Sequence, residues 1–260
     1  MERTPIMRTG KLIEVPRAAA LNAYTHLRHS LAQVAFLQSG YYLLRAIREA
    51  ATDSSARGRA ELDREHERRE DPWDYNTATY QRDRIGTELA MLDNVRGGGK
   101  FANALEVGCS EGIFTELLAS QCESLIAVDI SPVALDRARW RLAAAQHVRF
   151  AGWDLRVDAL PDTYDLIVMI HALEYIRNPI TVRKARNKLV DSLRPGGHLL
   201  IGTMRMVDVY EDSWWSPYFL RSGQRINTYF ARHPALNAVQ TKEFQLGIHV
   251  AYDALFQKTP

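Results

Sequence analysis

Three acidic residues lie near a glycine-containing turn at spacings that are typical of a ligand-binding site. The segment LEVGCSEG, residues 105–112, carries Glu106 ahead of Gly108. Asp129 and Asp154 end the next two apolar runs along the chain. A glycine at a turn lets a ligand approach the backbone closely, because no Cβ intervenes, and an acid after the second strand can accept the hydroxyls of a ribose. Together these residues predict a site for an adenosine that carries an amino-acid tail.

Each residue of this motif has a specific task and an ordinary alternative. Glu106 could pair with an ammonium group, Asp154 could accept a hydrogen bond from an exocyclic amine, and Gly112 opens a helix whose free N–H groups favour an anion. Taken singly, however, glycine turns follow strands in every α/β fold, and Asp129 could be a solvated acid near a helix cap. The prediction therefore depends on these residues occurring together and in this order.

The segments around the motif alternate between strand and helix. We predict strands at residues 101–108, 124–129, 147–154, 164–171 and 198–203, and helices at residues 113–119, 132–145 and 179–193. Gly247 predicts a tight turn between two C-terminal strands. Repeated strand–helix–strand units predict an α/β, Rossmann-like doubly wound sheet that is mostly parallel, and the C-terminal hairpin adds an antiparallel edge.

The first part of the chain has a different pattern. Apolar residues recur at helical spacing over residues 17–51, and a run of alternating charges begins at Arg57. We predict that residues 1–70 form an N-terminal helical appendage and a charged linker, and that residues 71–260 form the main domain. The helices could pack on that domain or join two copies into a homodimer, and a membrane-surface helix is the alternative.

Composition narrows the classes of function. The 260 residues carry a formal net charge of +2, so the sequence predicts no field that would attract a nucleic acid. We find no apolar run long enough to predict a membrane span, and no His or Cys pair with the spacing of metal ligands. The two cysteines, Cys109 and Cys122, fall in predicted core segments, which favours reduced thiols and a cytoplasmic protein.

The motifs resemble those of the class I S-adenosylmethionine-dependent methyltransferases. Glu106, Gly108, Ser110 and Gly112 match the acid-x-Gly-x-Gly-x-Gly motif of that family, with a serine in place of the middle glycine. DLIVMIHALEYI and RPGGHLLIGT are similar to its fourth motif and its fifth strand. The resemblance implies that Asp129 contacts the ribose and Asp154 the adenine. The further cofactor contacts that it implies are Cys109, Ile130, Leu155 and His171.

A narrower resemblance begins at Asp71. The run DPWDYNTATYQRDR, residues 71–84, resembles a segment of the nodulation-protein-S-type methyltransferases, which N-methylate a chitooligosaccharide amine. In those enzymes the segment folds over the cofactor. The resemblance implies that residues 71–95 cap the cofactor, with Trp73 and Tyr80 over it and Arg84 on its carboxylate, an interaction for which the guanidinium is well suited. It also implies that the acceptor is a small molecule carrying an amine on a sugar.

The acceptor should arrive where the fourth strand ends, at His171 and Glu174. His171 could be a general base, a cofactor contact or a packed histidine, and Glu174 and Tyr175 share these alternatives. Residues 204–235 form an acceptor-side insertion in this interpretation. Its aromatic residues are Trp214, Trp215, Tyr218 and Phe219. They could line an acceptor pocket or cover the sheet edge.

Rival functions make different demands on the same segments. A nicotinamide-dependent oxidoreductase needs Gly-x-Gly-x-x-Gly, but Ser110 and Ile113 occupy its second and third glycine positions. A DNA amino-methyltransferase of this fold carries Asn/Asp-Pro-Pro-aromatic after the fourth strand, where this chain has HALEY. A non-catalytic cofactor-binding or assembly protein on the same fold stays open, because fold alone does not fix function.

Overall fold

The computed structural model describes residues 3–8, 11–16, 44, 47–48, 50–160, 162–205, 223–246 and 249–260. The chain divides into two compact units, Met1–Arg45 and Ala46–Pro260. In the first unit, strands β1 (Arg3–Arg8) and β2 (Lys11–Pro16) pair as an antiparallel hairpin. Residues 3–8 and 11–16 are therefore strands rather than part of a helical appendage, and most of the predicted helix over residues 17–51 lies outside the described residues.

The charged run forms a helix of the second unit rather than a linker. Helix α1 (Ser55–Arg68) begins after Ser54, whose side chain accepts a hydrogen bond from the amide of Arg57. Ion pairs fix it: the Arg177 guanidinium donates to both carboxylate oxygens of Glu61, at 2.6 and 2.7 Å. Because these bonds join α1 to the main domain, the boundary between the two units falls at residues 45/46 and not at our predicted 70/71.

The second unit contains a seven-stranded sheet. Its strands are β3 (Ala104–Val107), β4 (Leu125–Asp129), β5 (Val148–Gly152), β6 (Tyr164–Ile170), β7 (Leu193–Arg205), β8 (Leu236–Leu246) and β9 (His249–Lys258). They lie in the order β5-β4-β3-β6-β7-β9-β8. The first five in this order are parallel, and β9 is antiparallel to both β7 and β8. This arrangement confirms the predicted Rossmann-like fold with its antiparallel C-terminal edge.

Helices cover both faces of this sheet. They are α2 (Thr79–Asp93), α3 (Ile113–Leu118), α4 (Pro132–Arg141), α5 (Pro179–Asp191) and α6 (Gly223–Ala231). Helices α2 and α3 pack with Leu166, Val168 and Leu200 on one face, and α5 and α6 pack with Ile167 and Ile201 on the other. The strands are nearly all apolar because neighbouring residues are buried on opposite faces.

The carboxyl ends of the parallel strands share one edge, and this edge positions the site. The turn after β3, the end of β4 and the exits of β5 and β6 all lie there, as expected for parallel strands. Several boundaries differ from prediction. Among them, β5 ends at Gly152, so that Asp154 follows it in a turn, and β7 begins already at Leu193. Within the described part of the chain, no helix is long and apolar enough to cross a bilayer.

Candidate active site

The turn after β3 needs glycine at residue 108 for a steric reason. Gly108 has a φ of 81°, and a Cβ added there would lie 2.5 Å from the Cβ of Ala172. The amides of Gly108 and Cys109 both donate to the carbonyl of Val128, at 2.8 and 3.0 Å. These bonds hold the turn against the end of β4, so that β3 and β4 present their termini side by side.

The serine that replaces the middle glycine of the motif adopts a left-handed conformation. Ser110 has a φ of 49°, a strained region for a residue with a side chain. Its amide donates to Oδ2 of Asp129 at 2.9 Å, and its hydroxyl lies 3.0 Å from Nε2 of His66 in α1. Gly112, with a φ of 78°, serves packing instead, because a Cβ there would lie 3.1 Å from the Cβ of Ala138.

A pocket opens beside this turn, and we call it the Arg84–Glu106 pocket. Its lining residues are Tyr75, Arg84, Glu106, Gly108, Cys109, Ser110, Glu111, Ile113, Phe114 and Ile170. Glu106 is 4% exposed. Burial raises the pKa of its carboxyl to about 8, with the charges of Asp129 and Glu88 adding to the shift and the Thr115 side chain opposing it. Among the described groups, its Oε2 has no hydrogen-bond partner. An unpaired buried carboxyl of this kind is suited to an incoming cation.

Arg84 presents the opposite charge to the same pocket. It is 1% exposed, its Nε donates to Gln81 at 2.9 Å, and its Nη1 donates to Glu88 in a short contact. Its Nη2 meets no acceptor within the part of the chain that the structure describes. The guanidinium lies 5.6 Å from the ring centre of Tyr75, and burial raises the pKa of that phenol to about 12. One face of the guanidinium is thus fixed while one N–H group stays available.

The two aromatic residues predicted to cap the cofactor, Trp73 and Tyr80, have different surroundings. Trp73 is half-buried between two rings, 6.4 Å from His66 and 6.0 Å from Tyr175, whereas Tyr80 is 38% exposed and does not line the pocket. Helix α2 begins at Thr79, so Tyr80 lies in its first turn, away from the buried face. Tyr75, which the sequence analysis did not identify, lines the pocket.

Helix α1 covers the ends of the neighbouring strands β4 and β5. We call these strand ends the α1-covered edge, and its residues are Asp129, Ile130, Ser131, Asp154 and Leu155. The two oxygens of Asp129 accept from the amides of Ser110 and Ser131, each at 2.9 Å. The Ser131 hydroxyl in turn donates to Asp63 of α1. Burial raises the pKa of Asp129 although both amides oppose the shift. Ile130 beside it is half-buried.

Asp154 lies at the far end of the same edge. Arg156 donates to its Oδ1 from the backbone amide at 2.9 Å and from Nη1 at 3.2 Å. Arg156 also pairs with Asp53 just before α1, at 3.1 Å, so this second acid is tied to α1 as well. Oδ2 of Asp154 has no hydrogen-bond partner among the groups described. Leu155 is 8% exposed and packs into the core, which makes it a wall rather than a polar contact.

His171 and Glu174 come together at the exit of β6. His171 has a φ of 51°, and its amide donates to the carbonyl of Gly202 at 2.8 Å. Its Nδ1 lies 3.4 Å from Oε1 of Glu174, while its Nε2 is buried and unpaired within the described residues. A non-glycine residue in this backbone region is strained, and such strain is concentrated at functional sites. Burial raises the pKa of the neighbouring Tyr175.

The structure therefore unites most of the predicted residues at one edge but not in one uniform cavity. Glu106, Gly108, Cys109, Ser110 and Arg84 line or border the Arg84–Glu106 pocket. Trp214, Trp215, Tyr218 and Phe219 of the predicted acceptor-side insertion lie outside the described residues, as does the turn at Gly247. Sequence reasoning also missed Glu88, although its spacing of four from Arg84 puts both on one helical face.

Comparison with known proteins agrees with this geometry. The profile of the nodulation protein S (NodS) family matches residues 54–215. Nodulation protein S of Bradyrhizobium diazoefficiens is 36% identical over 136 residues, covering 52% of this chain and 64% of that protein. Nodulation protein S of Rhizobium tropici is likewise 36% identical over 136 residues, covering 52% of this chain and 56% of that protein. The chain thus covers less than two thirds of the length of these relatives.

A solved structure extends the match over more of the chain. The crystal structure of the N-methyltransferase NodS from Bradyrhizobium japonicum WM9 in complex with S-adenosyl-L-homocysteine is 28% identical, with a TM-score of 0.67. The match covers 78% of this chain and 99% of that chain. The family profile spans α1, the glycine turn, the strand-end acids and His171, which is more than half of the sequence. This chain belongs to the nodulation protein S (NodS) family.

Proposed function

We propose that this protein is an S-adenosylmethionine-dependent N-methyltransferase that acts on an amine of a small molecule, with an amino sugar as the acceptor. One observation carries the proposal: the Arg84–Glu106 pocket holds an unpaired N–H of a buried guanidinium and an unpaired oxygen of a buried carboxyl beside the same glycine turn. The guanidinium and the carboxyl complement the carboxylate and the ammonium of an α-amino acid, which is the tail of that cofactor.

The remaining residues fit the rest of the cofactor. Each oxygen of Asp129 accepts one amide N–H and keeps a lone pair for a ribose hydroxyl. The unpaired Oδ2 of Asp154 could accept from the adenine amine, with Leu155 and Ile130 as apolar walls. Trp73 offers an aromatic face near Tyr175. The cofactor supplies a methyl group already activated on a sulfonium, so the protein's task is to align the acceptor and exclude water.

The acceptor must lose a proton before or during transfer, because an ammonium has no lone pair for attack. We assign this role to His171: its Nε2, unpaired among the described residues, would take the proton, and Glu174 at Nδ1 would stabilise the imidazolium. The family relative that is named an N-methyltransferase supports nitrogen rather than oxygen as the acceptor atom.

The direct test is methyl transfer from isotope-labelled S-adenosylmethionine to matched oligosaccharides. We expect glucosamine oligomers with a free amine to gain one methyl group and the N-acetylated oligomers to gain none. Transfer to small phenols or glycoside hydroxyls but not to amines would contradict the acceptor class. Tight binding of S-adenosylhomocysteine with no transfer to any acceptor would favour the alternative of a non-catalytic cofactor-binding protein.

A second test concerns the base. His171→Gln should lower turnover by roughly 10²–10³-fold and change the affinity for S-adenosylhomocysteine by less than threefold. His147→Gln is the matched control, because this histidine bonds to the carbonyl of Ala119 away from the pocket. Equal losses of turnover and of cofactor affinity would assign His171 to binding instead.

A further inference from the structure

A second buried carboxyl lies behind Arg84, in a part of the fold that the proposed function does not use. Glu88 of α2 and Asp253 of β9 are both 0% exposed, next to Arg84 at 1%. We call these residues the Arg84–Glu88–Asp253 cluster. Two carboxyl groups thus share one guanidinium in the protein interior, where a net charge is costly.

Gly202 has no side chain, and this leaves space for the carboxyl of Asp253. Asp253 pairs with Gly202 across β9 and β7, and Gly202 pairs with Ile170 across β7 and β6. A Cβ at residue 202 would lie 2.8 Å from Oδ1 of Asp253 and 3.1 Å from Cγ2 of Ile170. The carboxyl therefore occupies the space that a side chain would otherwise fill, directly behind the pocket wall formed by Ile170.

The net charge of the cluster depends on whether Asp253 carries a proton. Glu88 accepts from Nη1 of Arg84 through Oε1, but Oε2 of Glu88 and both oxygens of Asp253 meet no donor among the described residues. If Asp253 carries a proton, its hydroxyl donates to Glu88 and the cluster is neutral. Burial, with the charge of Glu88, raises the pKa of Asp253 well above its ordinary value, despite the opposing charge of Arg84.

We propose that Asp253 is a positioning residue: it stays protonated, donates to Glu88, and so leaves Nη2 of Arg84 free for the carboxylate of a bound cofactor. The inference rests on the proposed function, since it takes that carboxylate as the partner of Arg84. An ionised Asp253 would be a second anion competing for the same guanidinium. It would also add a negative charge facing the ligand's own carboxylate.

The proposal predicts a pH dependence of binding that disappears when residue 253 cannot ionise. Arg84 and Glu88 face it from α2, Glu174 from the exit of β6, and Lys242 is its exposed partner in β8. Ionisation of Asp253 takes the cluster from neutral to negative. The affinity for a ligand carboxylate should therefore fall as the pH rises.

Calorimetry with two ligands tests this prediction. Asp253→Asn keeps a neutral donor to Glu88 and is the reference, because Glu106 and the ligand's ammonium titrate alike in both proteins. From pH 7 to pH 9.5, the affinity of the wild-type protein for S-adenosylhomocysteine should fall about tenfold further than that of Asp253→Asn. Methylthioadenosine, which lacks the amino-acid tail, should show no such difference. Glu88→Gln leaves one carboxyl beside Arg84 and should flatten the profile in the same way, which covers the case in which Asp253→Asn does not fold.

Asp83→Asn is the control, because Asp83 lies on the exposed side of the same helix, and its profile should follow that of the wild type. Variants whose pH profiles parallel the wild type would overturn the positioning role and leave the proposed function standing. A wild-type protein that binds S-adenosylhomocysteine at no pH would overturn the proposed function, and the inference with it.

Discussion

The Arg84–Glu106 pocket and the α1-covered edge lie side by side, yet they treat their polar groups in opposite ways. In the pocket, an N–H of Arg84 and an oxygen of Glu106 are buried without partners among the described residues. At the edge, both oxygens of Asp129 accept amide N–H groups, and Asp154 accepts from Arg156. The pocket therefore keeps polar atoms that can bond to a ligand, whereas most polar atoms at the edge already form hydrogen bonds within the protein.

The difference separates two contributions that a binding site makes. Groups left unpaired in a dry pocket cost stability and gain their partners when a ligand binds. Groups already bonded to the backbone hold the fold together and offer their remaining lone pairs in a fixed direction. Substitutions in the pocket should therefore affect binding more than stability, and substitutions at the edge should affect both. Arg84 is the expected exception, because it also neutralises Glu88.

Arg84→Met should give the largest effect. It removes the cation beside Glu88, so the free energy of unfolding should fall by about 3 kcal/mol, and the Kd for S-adenosylhomocysteine should rise more than roughly 100-fold. Urea unfolding and calorimetry measure the two quantities. Arg82→Met, on the exposed side of the same helix, should change neither. A Kd within threefold of the wild type would remove Arg84 from the cofactor site.

Asp129→Ala should give the second-largest effect and should lower both the free energy of unfolding and the affinity for the cofactor. The amides of Ser110 and Ser131 would lose their acceptor, which lowers the free energy of unfolding by about 2 kcal/mol, and cofactor binding should be abolished. Asp129→Asn keeps an acceptor oxygen and should recover part of the stability without the affinity. Unchanged binding in Asp129→Ala would break the comparison, since the edge would then be structural alone.

Glu106→Gln should separate binding from stability. The folded carboxyl has a pKa of about 8 against an ordinary 4.5, so the folded state holds more protons, and stability falls as the pH rises from 4.5 to 8, by at most about 1.4 kcal/mol per pH unit. The glutamine variant should be more stable than the wild type at pH 9 and should bind S-adenosylhomocysteine about tenfold more weakly. Thermal unfolding at pH 5 and pH 9 tests the sign. A variant that is less stable at pH 9 would contradict it.

Ser110→Gly should have the smallest effect. Glycine relieves the left-handed backbone at φ 49° but loses the hydroxyl contact to His66. These changes oppose each other, so the free energy of unfolding should change by less than about 1 kcal/mol. Gly108→Ala, which forces a contact with Ala172, should lose several times more in the same denaturant titration. Similar losses in the two variants would show that the turn tolerates no change at either position.

Much of this site could be predicted from the sequence, for one physical reason. Apolar runs alternating with helical patterns indicate parallel strands, and parallel strands bring their carboxyl ends to one edge. Glu106, Asp129, Asp154 and His171 each belong to or follow such a run, and the strands that carry them, β3 to β6, are neighbours in the confirmed sheet. Arg84, which a short motif identified, lines the pocket, whereas Tyr80 does not. The residue at which α2 begins decides which aromatic side chain faces the pocket, and the motif does not specify that residue.

The order of the elements, the glycine turn and the acids at the strand ends follow from the amino-acid sequence, because they depend on local periodicity and short-range steric limits. Tertiary packing was needed to show that Tyr75 lines the pocket, that α1 covers Asp129, and that Asp253 lies behind Arg84. These contacts join residues far apart in the chain. Their pairing depends on how β9 and two helices pack on the sheet, and on the space left by the missing side chain of Gly202.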